Sequence, residues 1–285
     1  MLRTRPWRST SLRLLTDRDR DEVLAICDRD PVANVFVSSR IRAATLDPAR
    51  LGGQVWGYAD GGQLTSICYS GANLVPVEAT PDAITAFAGK ARLQGRRCSS
   101  IVGPAEAVSQ LWELLSPWWG TPRDIRPVQP VMAISSPGPI EPDPLVKMVQ
   151  PPQLDIVLPS CIAMFTEEVG VSPIGIDGGA AYRARMADLI AQGRSFARIE
   201  ADGTVLFKAE IGAVSPQACQ VQGVWVPPQA RGQGHAVRGM AAVVREALRL
   251  APVVSLYVND FNAPARAAYK RVGFTQVGTF MSVLF

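Results

Sequence analysis

The sequence predicts an α/β protein made of two copies of one module, each a mostly antiparallel sheet flanked by helices and closing on a βαβ element. Three observations carry that expectation. Apolar, strand-like runs separated by glycine-rich turns are followed by a helix-strand-helix series. The same order recurs on both sides of a proline-dense stretch, Ser135 to Pro152. In the second copy a glycine-rich turn joins the last strand of the meander to an amphipathic helix.

Leu12 to Cys27 reads as a short apolar strand, a polar break and an apolar-periodic helix, and Gly53 to Val77 as a hairpin meander. A helix over Pro81 to Leu93, a strand over Cys98 to Val102 and a helix over Ala105 to Leu115 complete the first module. Proline disfavours helix and removes backbone donors, so Ser135 to Pro152 reads as a linker leading into a short strand. Val146 to Cys161 then repeats the strand, break and helix order. Strands at Ser195 to Glu200, Thr204 to Ser215 and Ala218 to Val226 lead to a helix over Ala236 to Leu250, a strand over Val253 to Val258 and a helix over Pro264 to Val272. The expected domains are residues 1–140 and 141–285.

Composition narrows the function classes. With 285 residues, 47% hydrophobic and 19% charged, the chain is expected to bury substantial cores. No apolar run approaches the roughly 20 residues that span a bilayer, and the arginine-rich start lacks a signal peptide's apolar core, so no membrane partner is expected and the location is read as cytoplasmic. A net charge of +4, spread along the chain, argues against nucleic acid but suits a small anionic ligand. His235 is the single histidine and the five cysteines form no CxxC pair, so no metal site is expected.

The segment Val224 to Leu248 is an apolar strand, a double proline, a glycine-rich turn and a helix, which is a construction that binds phosphate. Gly232 and Gly234 let the backbone approach a ligand, and the first N–H groups of the helix point outward at its positive dipole end. Arg231 lies just ahead of the helix, and Arg238 and Arg245 share one of its faces. They supplement an anion field or form a solvated basic face, the second reading fitting Arg245 better. Neither GxxxxGK[ST] nor GxGxxG is present, which removes the P-loop and Rossmann readings.

The fragment RGQGHA, Arg231 to Ala236, resembles the Q/R-x-x-G-x-G/A pyrophosphate loop of the GNAT N-acetyltransferase superfamily. Asn262, Ala265, Tyr269, Gly273 and Phe274 resemble that family's N-x-x-A-x-x-x-Y…GF signature. The resemblance covers about the last 140 residues and more weakly the first 140. It implies a tandem GNAT-like fold with acetyl-CoA as co-substrate, a small-molecule or peptide amine as acceptor, and direct transfer without a covalent enzyme intermediate. It implies further that the backbones of Val224, Trp225 and Val226 pair with the pantetheine arm, one N–H polarising the thioester carbonyl. Gly232, Gln233, Gly234, His235 and Ala236 would hold the diphosphate, Asn262 would fix the cofactor near the mouth of the cleft, and Tyr269 would be the general acid. His235 is then a loop residue with a backbone role.

The general base is less defined. The position held by a catalytic glutamate in some members of the family is Gln220, which cannot accept the proton. Glu210, flanked by apolar residues, is the chosen candidate, directly or through a water, if it faces the cleft, and is otherwise an edge charge facing solvent; Glu167 and Glu168 at the end of the first helix of the second module are another. Water alone also suffices in many relatives. In the first module, Glu78 to Ile84 contains neither glycine nor arginine, so this copy is expected not to bind acetyl-CoA but to buttress the active one. Trp112, Trp118 and Trp119 are core or a docking surface between modules. A monomer or weak homodimer is expected. A non-catalytic acyl-CoA sensor and a nucleotide-dependent ligase or kinase are the competing functions.

Overall fold

Alternating apolar residues put strands into a sheet and amphipathic helices onto its faces, and the computed structural model describes this for residues 10–175 and 177–285. The arginine-rich start, residues 1–9, lies outside the described residues. The chain forms two units that are not two continuous halves. The first runs to Val131 and takes in Tyr257–Phe261 and Gln276–Phe285; the second is Met132–Leu256 with Asn262–Thr275.

The first unit begins with β1 (Thr10–Leu14), α1 (Arg20–Cys27), α2 (Val35–Ala44) and the single turn α3 (Pro48–Leu51). It continues through β2 (Gly53–Asp60), β3 (Gln63–Gly71), β4 (Asn73–Val77), α4 (Pro81–Gln94), β5 (Ser100–Pro104), α5 (Ala105–Trp119) and β6 (Asp124–Ile134). Gly61 and Gly62, at φ +56 and +82, join β2 to β3, the two positive angles that a two-residue type I′ hairpin requires. Successive strand residues face opposite ways. Val55, Tyr69 and Val75 therefore pack with Ile26 and Ile41 of α1 and α2, while Trp56, Cys68 and Leu74 pack with Phe87 and Leu111 of α4 and α5.

In the second unit, β7 (Val146–Met148), α6 (Leu154–Val169) and α7 (Ala180–Ala191) precede β8 (Ser195–Ile199), β9 (Val205–Val214) and β10 (Cys219–Trp225). Then come α8 (His235–Ala247), β11 (Val254–Tyr257), α9 (Ala263–Val272) and, last in the chain, β12 (Thr275–Leu284). The order β11-β10-β9-β8-β7 is antiparallel from β7 to β10, with β11 parallel to β10.

From Gln276 on, the last strand belongs to the first unit. There β12 pairs antiparallel with β5, from Phe280↔Pro104 to Leu284↔Ser100, and lies between β5 and β6. Met281 and Val283 enter the core formed by Trp56, Phe87 and Leu111. Phe285 stands edge-on to both Trp112 and Trp119. Those two tryptophans are half-buried and pack against the core of the first unit, whereas Trp118 is 62% exposed with the Arg92 guanidinium 3.9 Å above its ring. Deleting residues 276–285 is expected to destabilise the first unit by more than about 3 kcal/mol, from the burial of two large apolar side chains alone. Urea unfolding followed by tryptophan fluorescence measures it.

Two differences from the sequence expectation have local causes. Helix α5 runs four residues beyond Leu115, through Pro117. The Glu113 carbonyl that proline leaves without its helical donor accepts instead from Ser116 Oγ at 3.3 Å. Helices α2 and α7, to which the sequence reading assigned no element, carry only weak apolar periodicity, and α2 starts with β-branched residues, VFV.

Candidate functional site

Two prolines, Pro227 and Pro228, end β10, and a single 3-10 turn (Pro228–Ala230) leads into the glycine loop before α8. Gly232 and Gly234 have φ of +77 and +85, and a Cβ built on either meets nothing within 4 Å. The loop backbone is therefore bare and open. Gly234 is the N-cap of α8 and offers no side chain to cap it. The first helical bond runs from the Arg238 N–H to the Gly234 carbonyl at 3.1 Å, so the N–H groups of His235, Ala236 and Val237 lie in the first turn without intrahelical acceptors. Such donors at the positive end of a helix dipole form an anion site.

Arg231 stands beside this loop. Its Nε donates to the Val226 carbonyl at 3.0 Å and its Nη2 to Glu167 Oε2 at 2.7 Å, while Trp225 Nε1 donates to the same oxygen at 3.2 Å. The Arg231 hydrogen bond holds the Glu167 carboxyl below its usual range. Glu167 thus ties the end of α6 to the end of β10 and the loop. Arg245 is exposed on α8, and Arg238 is exposed with its carbonyl accepting from the Asp143 N–H at 3.1 Å.

Upstream of the loop, β10 leaves its parallel neighbour. The two strands pair at Cys219↔Val254 and Gln220↔Ser255 and part beyond them. On the other side, Gln222 is opposite Glu210 and Trp225 is opposite Lys208, so Gly223 and Val224 together face the single residue Ala209. This is a β-bulge, centred on Gly223 at φ +62. A parted strand edge can accept an extended ligand as an added strand.

Helix α9 packs on α8 and carries Tyr269, 7% exposed and edge-on to Phe274. Burial, reinforced by the negative charge of Glu168, pushes the phenol above its ordinary range. Asn262 is the N-cap of α9: its Oδ1 accepts from the Ala265 N–H at 3.2 Å, and Pro264 stands in the first turn, where its missing N–H costs nothing.

Glu210 differs from its expected placement facing the cleft. It does not present a free carboxylate to a cleft but is 1% exposed and ion-paired at 2.6 Å with Lys208, also 1% exposed. The Cys161 thiol of α6, pushed up to about 11 by burial and hence protonated, lies 3.8 Å from Glu210 Oε1. Lys208 Nζ also donates to the Gly223 carbonyl at 2.9 Å. A carboxylate so engaged cannot readily take a proton from an incoming amine. Gln220 is buried at the start of the parting strands.

Residues 177–274 match the model of the acetyltransferase (GNAT) family. The second unit carries a GNAT domain. Ahead of it, residues 53–157 match a domain of unknown function (DUF4081). Among solved structures, a GNAT-family acetyltransferase from Colwellia psychrerythraea has a TM-score of 0.55 at 13% identity, covering 96% of this chain and 99% of the other. A tandem GNAT protein from the clavulanic acid biosynthesis pathway has 0.58 at 14%, covering 96% and 98%. A related N-acetyltransferase from Sphaerobacter thermophilus has 0.60 at 14%, covering 98% and 97%. These likenesses give the fold, a mixed sheet flanked by helices as in tandem GNAT proteins. Comparison with curated protein sequences gives no match. The match of residues 177–274 to the GNAT family model supports acyl transfer as the class of chemistry.

The first unit repeats the parallel strand pairing without the open, uncapped helix start. Strand β4 pairs in parallel with β5 at Asn73↔Ser100 and Leu74↔Ile101, the counterpart of the β10–β11 pairs in the GNAT domain. Helix α4, however, is capped: Thr80 Oγ1 accepts from the Ala83 N–H at 3.3 Å, and Pro81 supplies no donor. Glu78 precedes it at φ +49, its carboxylate accepting from Asn34 Nδ2 at 3.1 Å. A carboxylate and a filled cap stand where the GNAT domain has bare amides. The sequence reading missed Lys208 and Gly223. Their signal was a Lys and a Glu two apart in an apolar strand, which share a face, and a glycine inside a strand, which marks a bulge.

Proposed function

We propose that the chain is an N-acetyltransferase that moves an acetyl group from acetyl-CoA to a primary amine by direct transfer in a ternary complex. The observation that carries this reading is the open Gly232–Gly234 loop, with its uncapped helix start, lying at the end of a strand whose edge has parted from its neighbour. Backbone donors of Gly232, Gln233, Gly234, His235 and Ala236, with Arg231, hold the diphosphate. The backbones of Val224, Trp225 and Val226 take the pantetheine arm along the parted edge, and Asn262 fixes the arm near its mouth.

The amine nitrogen attacks the thioester carbon, the new C–N bond forms, and the oxygen takes negative charge beside the bulge N–H. The C–S bond then breaks, and the Tyr269 hydroxyl donates to the departing sulfur. The proton lost by the amine passes to water, because Glu210 is engaged with Lys208 and Gln220 cannot accept it. Tyr269 recovers its proton from the same solvent pool, so the products are an amide and the free thiol. The first unit does not bind acetyl-CoA. The protein works without a metal and in the cytoplasm, a reducing compartment that suits its five free, buried cysteines.

Calorimetry with acetyl-CoA, and coenzyme A release measured against a panel of amines, test the proposal. Binding in the micromolar range and release that depends on the amine are expected. No affinity for acetyl-CoA defeats the site assignment, and binding without release from any amine leaves a binding module rather than an enzyme.

A further inference from the structure

The buried pair Lys208–Glu210 lies under the bulge, not in the open cleft, and its geometry gives it a task. Lys208 Nζ is shared between Glu210 Oε1 at 2.6 Å and the Gly223 carbonyl at 2.9 Å. A Cβ at position 223 would lie 1.8 Å from Glu210 Oε2, so the carboxylate fills the space that any side chain there would need. Position 223 is thus reserved for glycine twice over, by its φ of +62 and by Glu210. In a trans peptide the carbonyl and the following N–H point in opposite directions. Anchoring the Gly223 carbonyl on Lys208 therefore turns the Val224 N–H away from the ion pair, in the stretch of β10 that has left β11.

We propose that Lys208, held in place by Glu210, is a positioning residue that aims the Val224 N–H at the thioester carbonyl of the bound acyl donor. The inference rests on the acetyl-transfer reading of the site and adds to it the element that fixes the oxyanion donor. Glycine at φ +62 leaves the bulge peptide free to rotate, and an unanchored peptide samples orientations in which the N–H misses the carbonyl. Burying an ammonium and a carboxylate is expensive, and an apolar pair of similar volume packs as well or better. A pair serving the sheet alone is replaceable without consequence for the ligand; one that orients a donor is not. The arrangement also reaches the helices over this face. Cys161 of α6 approaches Glu210 Oε1, and Tyr182 of α7 donates to the Cys161 carbonyl at 2.9 Å.

The test compares two ligands, acetyl-CoA and S-ethyl-coenzyme A, a thioether that lacks the carbonyl, on the full chain and on the double variant Lys208→Met/Glu210→Gln. The native protein is expected to favour acetyl-CoA by about fivefold, the scale of one neutral hydrogen bond. The variant is expected to keep its melting temperature and its affinity for the thioether, to lose the preference for acetyl-CoA, and to release coenzyme A about 10²-fold more slowly, as on loss of one oxyanion donor. A folded variant that keeps both the preference and the rate overturns the positioning role and leaves the acetyl-transfer reading standing. A native protein that binds neither ligand overturns both. Should the double variant not fold, Lys208→Arg, which keeps the charge but holds the carbonyl from a different distance, is expected to lose most of the preference. An unchanged preference there overturns the proposal equally.

Discussion

Tyr269→Phe is expected to lower kcat for coenzyme A release on the order of 10²-fold, the lower end of what a positioned general acid contributes, with KM for acetyl-CoA nearly unchanged. The ring is buried and edge-on to Phe274, and phenylalanine keeps that packing, so stability should change little. What is lost is one hydroxyl. Burial, and then the charge of Glu168, raise the phenol above its ordinary value of 10.0. The form that donates is the neutral one, and a raised value extends it to higher pH. The rate should therefore rise with pH as the amine loses its proton, with no alkaline fall from Tyr269 below about pH 10. A phenylalanine variant within threefold of the native rate removes Tyr269 from the chemistry, whereas an alkaline fall near pH 8 that the substitution abolishes keeps the phenol in the reaction and overturns the upward shift assigned to its burial.

The parts of the site that were legible in the sequence are those fixed locally. Pro227 and Pro228 remove two consecutive ladder donors just past β10, Gly232 and Gly234 hold angles that other residues rarely adopt, and the apolar stripe of α8 packs as its periodicity indicates. A few consecutive residues determine each feature, and the structure puts loop and helix where the pattern puts them. The same holds for the meander of the first unit, where Gly61 and Gly62 specify the hairpin.

What was not legible depends on partners distant in the chain. The sequence reading assigned no element to β12, and nothing in its residues names β5 as its neighbour. That choice is made by the fit of Met281 and Val283 into a core closed by residues some 200 positions earlier, such as Trp56 and Phe87. The pairing of Glu210 was illegible for the same reason. A charge among apolar residues fits both an exposed edge and a buried pair, and the deciding atoms, Lys208 Nζ, the Gly223 carbonyl and Cys161 Sγ, come from three different elements.

Gly234→Asp is expected to weaken acetyl-CoA binding on the order of 10²-fold while leaving the fold intact, and the two halves of that expectation have separate causes. Aspartate is among the residues that tolerate a positive φ, at a cost of about 1 kcal/mol, and as an N-cap it returns a similar amount by accepting from the first turn of the helix. The melting temperature should therefore stay within a few degrees. Binding suffers twice, because the carboxylate takes the donors that the diphosphate needs and sets a negative charge beside it, a repulsion of about 3 kcal/mol at contact distance near a protein surface. The variant gives α8 the capped start that Thr80 already gives α4 in the first unit. Part of the loss, being electrostatic, should be recovered at high ionic strength, whereas the part due to occupied donors should not. Calorimetry at two salt concentrations separates them. An affinity within threefold of the native value means that the diphosphate is held elsewhere, and the glycine loop is then only a way of starting a helix.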